Sequence, residues 1–186
     1  MKKIIFIHGP NGVGKSTLCR LLHQKLNNSA WLESEWCKMT NPFAYTDETV
    51  EMTVSNMTHM LKSYLGCTSV EYIILNYGFH GPRRKIYEKV MENISSMEFK
   101  LIPILITCSE KENISRMKKD GRDPDRIKRA LAVRNIYDGS DVLTLDTTEQ
   151  TAEMAVDKIL DLVLEATQNT HSVFRRTMLS ISLPSA

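Results

Sequence analysis

Nine consecutive residues, Gly9-Pro10-Asn11-Gly12-Val13-Gly14-Lys15-Ser16-Thr17, satisfy the spacing G-x-x-x-x-G-K-S/T. Glycines at 9, 12 and 14 permit positive φ and close backbone approach. Consecutive N–H groups can then turn inward as an anion nest at the N-terminus of a following helix. A triphosphate fits such a nest. Lys15 would reach its β- and γ-phosphates, and the Ser16 hydroxyl would ligate a bridging Mg²⁺.

Two carboxylates form a second constellation. In Trp31-Leu32-Glu33-Ser34-Glu35 the acids stand at i and i+2, on one side of an extended strand. At the C-terminal end of a parallel strand that side can face a substrate crevice; the alternative is a solvated acidic turn. A third concentration of chemistry lies between Lys111 and Arg134, where nine basic residues face four acidic ones. It reads either as a solvated helical face or as a wall of an anion site.

These groups must be held by elements that the hydrophobic pattern locates. Five apolar, β-branched-rich runs, Lys3 to Ile7, Ser29 to Glu33, Tyr72 to Asn76, Leu101 to Thr107 and Val142 to Asp146, alternate with helical patterns, as a parallel sheet with crossover helices requires. The near-continuous apolarity of the first, third and fourth predicts strands covered on both faces. Leu18, Leu21, Leu22 and Leu26 mark a helix directly after the glycine loop. Val50, Val54, Met57, Leu61 and Tyr64 mark a second behind Thr46 as N-cap, and Val156, Ile159, Leu160, Val163 and Leu164 mark the last. Pro82 and Pro124 stand where a proline opens a helix. Ser109 with Glu112 and Thr147 with Gln150 have capping-box spacing.

With 186 residues, the chain has room for one domain with a substantial core. Its 42 % hydrophobic and 25 % charged residues exclude disordered and low-complexity classes. A net charge of +2 is too small for a general polyanion-coating protein. Four cysteines without a C-x-x-C pair, no secretory h-region after Lys2-Lys3 and no bilayer-length apolar run give the expectation of a cytoplasmic protein with no membrane partner. The expected organisation is one domain over 1–168 and a mobile tail over 169–186. Arg175-Arg176-Thr177 in that tail is a short basophilic phosphorylation pattern of the kind chance supplies.

The glycine loop beginning at position 9, the short chain and the basic segment between the fourth and fifth strands resemble the small P-loop kinases. That group includes shikimate, gluconate and nucleoside monophosphate kinases and chloramphenicol phosphotransferase. The resemblance implies an α/β three-layer sandwich with a five-stranded parallel sheet in the order 2-3-1-4-5. It also implies an acceptor lobe after strand two, here about 36–67, and an arginine-bearing lid after strand four, here about 116–126.

Carried over residue by residue, Glu33 and Glu35 match an apolar-Asp-x-Asp pattern in which one carboxylate supports Mg²⁺ and the other orients or deprotonates the acceptor. Both are Glu here, which moves each carboxylate by about 1.5 Å. Glu33 is assigned to the metal with Ser16, and Glu35 to the acceptor. Ile114-Ser115-Arg116 resembles the start of the lid helix, so Arg116 is expected on the nucleotide and Arg122 and Arg126 over the phosphates. Guanidinium groups suit a phosphoryl group whose charge spreads over three oxygens. Arg129 and Arg134 read as surface charge. Strand three ends in Asn76 where many P-loop ATPases have Asp, which counts against a motor or switch ATPase. The loop that follows places His80 and Arg83 beside the acceptor, with Arg84 as helix surface. Trp36, Phe43 and Tyr45 cluster in the acceptor lobe, with Phe43 read as packing. The Asp146-Thr147-Thr148 loop resembles the adenine-side loop.

The reading is therefore an ATP- and Mg²⁺-dependent phosphotransferase acting on a small molecule through Lys15, Glu35, Arg116 and Arg122. The alternative is a nucleotide-binding regulatory module or slow ATPase read by a partner protein. An RNA-end kinase lacks the basic and aromatic surface that single strands use, and no N-K-x-D pattern points to GTP.

Overall fold

The computed structural model describes residues 1–168, so the tail and its Arg175-Arg176-Thr177 pattern lie outside the described residues. Five strands form, β1 (Lys2–His8), β2 (Ser29–Glu33), β3 (Tyr72–Tyr77), β4 (Phe99–Thr107) and β5 (Leu143–Asp146). All pair in parallel, in the order β2-β3-β1-β4-β5. Each expected strand is present with ends shifted by at most two residues, and β2 has the expected span.

Alternation along β1 makes the layers. Ile4 and Phe6 join a cluster that includes Met57, Leu61 and Val90 from the helices α2 (Asp47–Gly66) and α3 (Arg83–Asn93). Ile5 and Ile7 point the other way, to Leu22, Val156 and Ile159 of α1 (Lys15–Lys25) and α6 (Ala152–Gln168). Ile4 to Ile7 have no exposed surface, and burial of each such side chain contributes about 1.5–3 kcal/mol. The central strand is thus clamped from both faces, and the loop that leaves its C-terminal end starts from a rigid point.

Helix starts follow their caps. The Thr46 hydroxyl accepts from the Thr49 N–H, closing the expected start of α2. Asp123 caps α5 (Pro124–Ala132) with Pro124 in its first turn, and Ser109 caps α4 (Glu110–Lys119). Thr147 does not cap α6. Its hydroxyl bonds the Thr107 carbonyl at 2.9 Å, and the helix starts five residues later behind Thr151. α1 begins at Gly14 with no side-chain cap, leaving its first N–H groups free to meet an anion.

Candidate active site

The glycine loop joins β1 to α1 and is shaped by contacts that only glycine allows. At Gly9, φ is +143°, and a Cβ would stand 2.2 Å from the Ile106 carbonyl oxygen of β4. At Gly12, φ is +83°, and a Cβ would meet Met117 Cγ of α4 at 2.3 Å. Val13 is buried in the α1/α6 core. Lys15 curls back over the loop, its Nζ donating to the carbonyls of Gly9 (2.9 Å) and Pro10 (2.8 Å). Desolvation there, with Arg83 nearby, lowers its pKa to about 8.

Ser16, Glu33 and Asn76 form a triangle beneath the loop. The Ser16 hydroxyl donates to Glu33 Oε2 at 2.8 Å, and Asn76 Nδ2 donates to Ser16 Oγ at 3.0 Å and also to Glu33 Oε2. Sheet register explains the convergence, because Glu33 ends β2 directly opposite Asn76 of β3. Glu33 is 8 % exposed, so its carboxylate is a shielded negative charge next to the one hydroxyl of the loop suited to a cation. Among the described residues no cluster of three or more His, Cys, Asp or Glu could hold a metal by itself. A magnesium ion brought in by phosphates needs none, since it keeps most of its ligands as water and phosphate oxygen. The donor set therefore fits Mg²⁺.

The other end of the site is built around Glu35. In the 3-10 turn Ser34–Lys38 its carboxylate is flanked by Arg83 Nη1 at 2.6 Å and Lys38 Nζ at 3.1 Å. Arg83 opens α3 but is itself buried. Its Nη2 donates to Ser34 Oγ at 2.8 Å, its guanidinium lies 4.7 Å from the centre of the Tyr77 ring, and its carbonyl accepts from the Tyr77 hydroxyl at 2.7 Å. Burial pulls the Glu35 carboxyl upward, but Arg83 and Lys38 outweigh it and hold the group below the ordinary glutamate value. Desolvation, then Arg83, Lys38 and Lys15, push His80 down to about 4. His80 is therefore a neutral imidazole, a hydrogen-bonding group and a poor base.

One cavity of about 810 Å³ connects these ends. It is lined by Asn11, Gly12 and Gly14 to Thr17 of the glycine loop, by Glu35, Lys38, His80 and Arg83, and by Arg122, Arg126 and Arg129 from the segment between β4 and β5. Arg122 lies 3.4 Å from Asp120. Lys38, Tyr77 and Asn76 carried no site assignment in the sequence. For Asn76 the signal was available, because it closes the strand that pairs with the one ending in Glu33.

Four further residues are placed as follows. Arg116 stands beside the glycine loop without lining the cavity: it bonds Glu112, the Val13 carbonyl, and both the hydroxyl and carbonyl of Thr147. It ties α4 to the glycine loop and to the loop after β5, so it is structurally a clamp. Trp36 turns its ring to Trp31, centroids 5.0 Å apart, and does not line the cavity. Arg134 is not free surface charge, since it donates to Asn113 Oδ1 at 2.9 Å and to the Cys108 carbonyl. Arg129 is exposed, yet it lines the cavity. Phe43 and Tyr45 meet edge to face at 4.9 Å, with the Lys38 ammonium 5.2 Å from each ring.

A family model described as an AAA domain (AAA_18) matches residues 5–141. The chain belongs to this AAA-domain family. No curated protein matches it. Among solved structures, this AAA-domain chain is similar to the tunicamycin resistance protein of Deinococcus radiodurans (17 % identity, 88 % of this chain and 96 % of that one, TM-score 0.63). It is also similar to the shikimate kinase of Acinetobacter baumannii in complex with shikimate (16 %, 92 % and 97 %, 0.57). A third is the APS kinase of Mycobacterium tuberculosis in complex with AMPPNP and APS (11 %, 88 % and 98 %, 0.58). At these identities the likeness is one of fold, and the AAA-domain chain has the fold of the small P-loop kinases.

Proposed function

We propose that the protein is an ATP- and Mg²⁺-dependent phosphotransferase that moves the γ-phosphoryl group to a hydroxyl or phosphate of a small molecule. The observation that carries this reading is the single cavity with a phosphate nest at one end and an ion-paired carboxylate at the other, lined on a third side by arginines. A simple nucleotide sensor needs only the first of these. Solved neighbours that hold AMPPNP with APS, or shikimate, give the same division of labour a precedent in this fold.

In this reading the loop amides and Lys15 hold the triphosphate, with Lys15 exchanging its two loop carbonyls for phosphate oxygens. Ser16 would hold Mg²⁺, and Glu33 and Asn76 fix the Ser16 hydroxyl. When bound, the ion would supply charge neutralisation on the triphosphate. Glu35 stays ionised and accepts the hydrogen bond of the attacking hydroxyl, orienting it rather than removing its proton early. A loose transition state requires little more than that positioning. Arg122 and Arg126 neutralise the transferring group. Residues 36–67 form the acceptor lobe of one domain over 1–168. Four free cysteines agree with a cytoplasmic setting.

The test is ADP formation by the purified protein with Mg²⁺ against a panel of nucleoside monophosphates, sugar acids, shikimate-like acids and hydroxylated antibiotics. Stimulation by one acceptor class, lost in Lys15→Ala, supports the reading. Tight nucleotide binding with flat, slow hydrolysis across the panel supports the sensor instead.

A further inference from the structure

We infer that Asn113 and Arg116 of α4 are positioning residues for phosphate binding: each holds one carbonyl of the glycine loop away from the cavity and so points the next N–H at the triphosphate. This deepens the phosphotransferase reading and rests on its phosphate nest. The two side chains stand at i and i+3, on one face of the helix. Asn113 Nδ2 donates to the Asn11 carbonyl at 3.0 Å, and Arg116 Nη1 donates to the Val13 carbonyl at 2.9 Å. In a planar trans peptide the C=O and the following N–H point in opposite directions. The Gly12 and Gly14 N–H groups therefore face away from α4. Gly12 and Gly14 line the cavity and no residue of α4 does, so away from α4 is toward the cavity.

The hold on Asn113 comes from a second arginine. Arg134 Nη1 donates to Asn113 Oδ1 at 2.9 Å, and its Nη2 donates to the Cys108 carbonyl. A guanidinium offers only donors, so the amide oxygen must face Arg134 and the amide nitrogen the loop. Asn113 is 1 % exposed, and turning its amide over would leave buried polar atoms unpaired. Arg116 is fixed in turn by Glu112 and by the hydroxyl and carbonyl of Thr147. The loop carbonyls thus fall into two sets. Those of Gly9 and Pro10 are held by Lys15, the flexible cation that exchanges them for phosphate oxygens, whereas those of Asn11 and Val13 are held by side chains outside the cavity. Two N–H groups of the nest are oriented before any anion arrives, which spares the complex the cost of turning them.

The experiment follows the Gly12 and Gly14 amide resonances of the isotope-labelled full chain as magnesium pyrophosphate is added. Affinities for pyrophosphate, ADP and adenosine are measured alongside by titration calorimetry. In the parent protein both resonances move downfield. In Asn113→Ala the Gly12 response is lost and the Gly14 response kept; in Arg116→Met the pattern reverses. In each variant pyrophosphate and ADP affinities fall together by roughly tenfold, with adenosine binding unchanged. Arg116→Lys, which still offers a donor, restores part of the loss. Asn113→Asp keeps the bond to Arg134 and the shape of the side chain but not the donor, so it reproduces the Gly12 loss even where Asn113→Ala does not fold. A Gly12 response unchanged in both Asn113 variants, or loss of both responses together, overturns this inference and leaves the phosphotransferase reading standing. Weaker adenosine binding in Arg116→Met with pyrophosphate unaffected overturns the part given to Arg116 and assigns it to the base. A parent protein that binds neither pyrophosphate nor ADP overturns both readings.

Discussion

The two ends of the cavity are made in different ways. The phosphate end comes from nine consecutive residues on one loop between a strand buried from Ile4 to His8 and a helix with a free N-terminus. The end around Glu35 comes from β2, a 3-10 turn, the loop after β3 and α5, residues as far apart as Glu35 and Arg129. A local loop can be read as a motif because its geometry is set by its own φ angles. A site assembled across the sheet is set by register and by which side chains neutralise one another, and no spacing in the chain records that. In the proposed phosphotransferase the first end would select a chemistry common to many proteins, and the second would select the molecule.

The largest effect expected from breaking this contrast is at Lys15. Lys15→Ala should lower transfer about 10²–10³-fold with an unchanged thermal midpoint, because the side chain bonds only loop carbonyls; unchanged turnover would remove the kinase reading. Gly9→Ala attacks the platform. Its Cβ would meet backbone that cannot rotate away, and a loss of about 2–3 kcal/mol, read as a fall in Tm of about 4–12 °C, is expected. Glu35→Gln should lower transfer about 10²-fold while nucleotide affinity stays within about twofold. Loss of both together would move that carboxylate to the metal side.

The smallest effect concerns the seam between the two ends. His8 is wholly buried, stacked on Phe6 at 5.0 Å and beside Phe79 at 5.6 Å, and neither ring nitrogen has a hydrogen-bond partner among the described residues. Desolvation, with Lys15 nearby, lowers its pKa from 6.5 to about 3. The unfolded chain therefore takes up a proton near pH 6.5 that the folded chain refuses until about 3. Stability is full above pH 6.5 and is lost as pH falls toward that lower value. His80, lowered to about 4, acts in the same direction. His8→Phe should flatten the slope of Tm between pH 6.5 and 4, and removing an unpaired buried polar group should raise stability by about 1–3 kcal/mol. A slope unchanged in this variant would place the acid sensitivity elsewhere.

Much of the frame was legible in the sequence. Ile4 to Ile7 read as a strand covered on both faces because no polar residue interrupts them, and the Thr46 cap and Val54, Met57 and Leu61 stripe located α2. The start of α6 was misread because the Thr147 hydroxyl is drawn across to the Thr107 carbonyl at the end of the neighbouring strand β4, 40 residues earlier in the chain. The lid misled in a related way. Arg116, Arg129 and Arg134 carry the same charge within one basic segment, yet one ties loops together, one lines the cavity and one bonds Asn113 and Cys108. Charge density revealed the segment; only packing assigned each residue a direction.

The contact between Gly9 and Ile106 also sets an order in time. The nucleotide loop is synthesised before the surface it rests on, which belongs to β4, and among the described residues β1 itself pairs with β3 and β4. At about 5–20 residues per second, the loop waits about 5–20 s for its support to be made. A ribosome-bound fragment ending before β4 should therefore gain nothing from nucleotide, whereas one long enough to expose β4 gains a ligand that favours its completion.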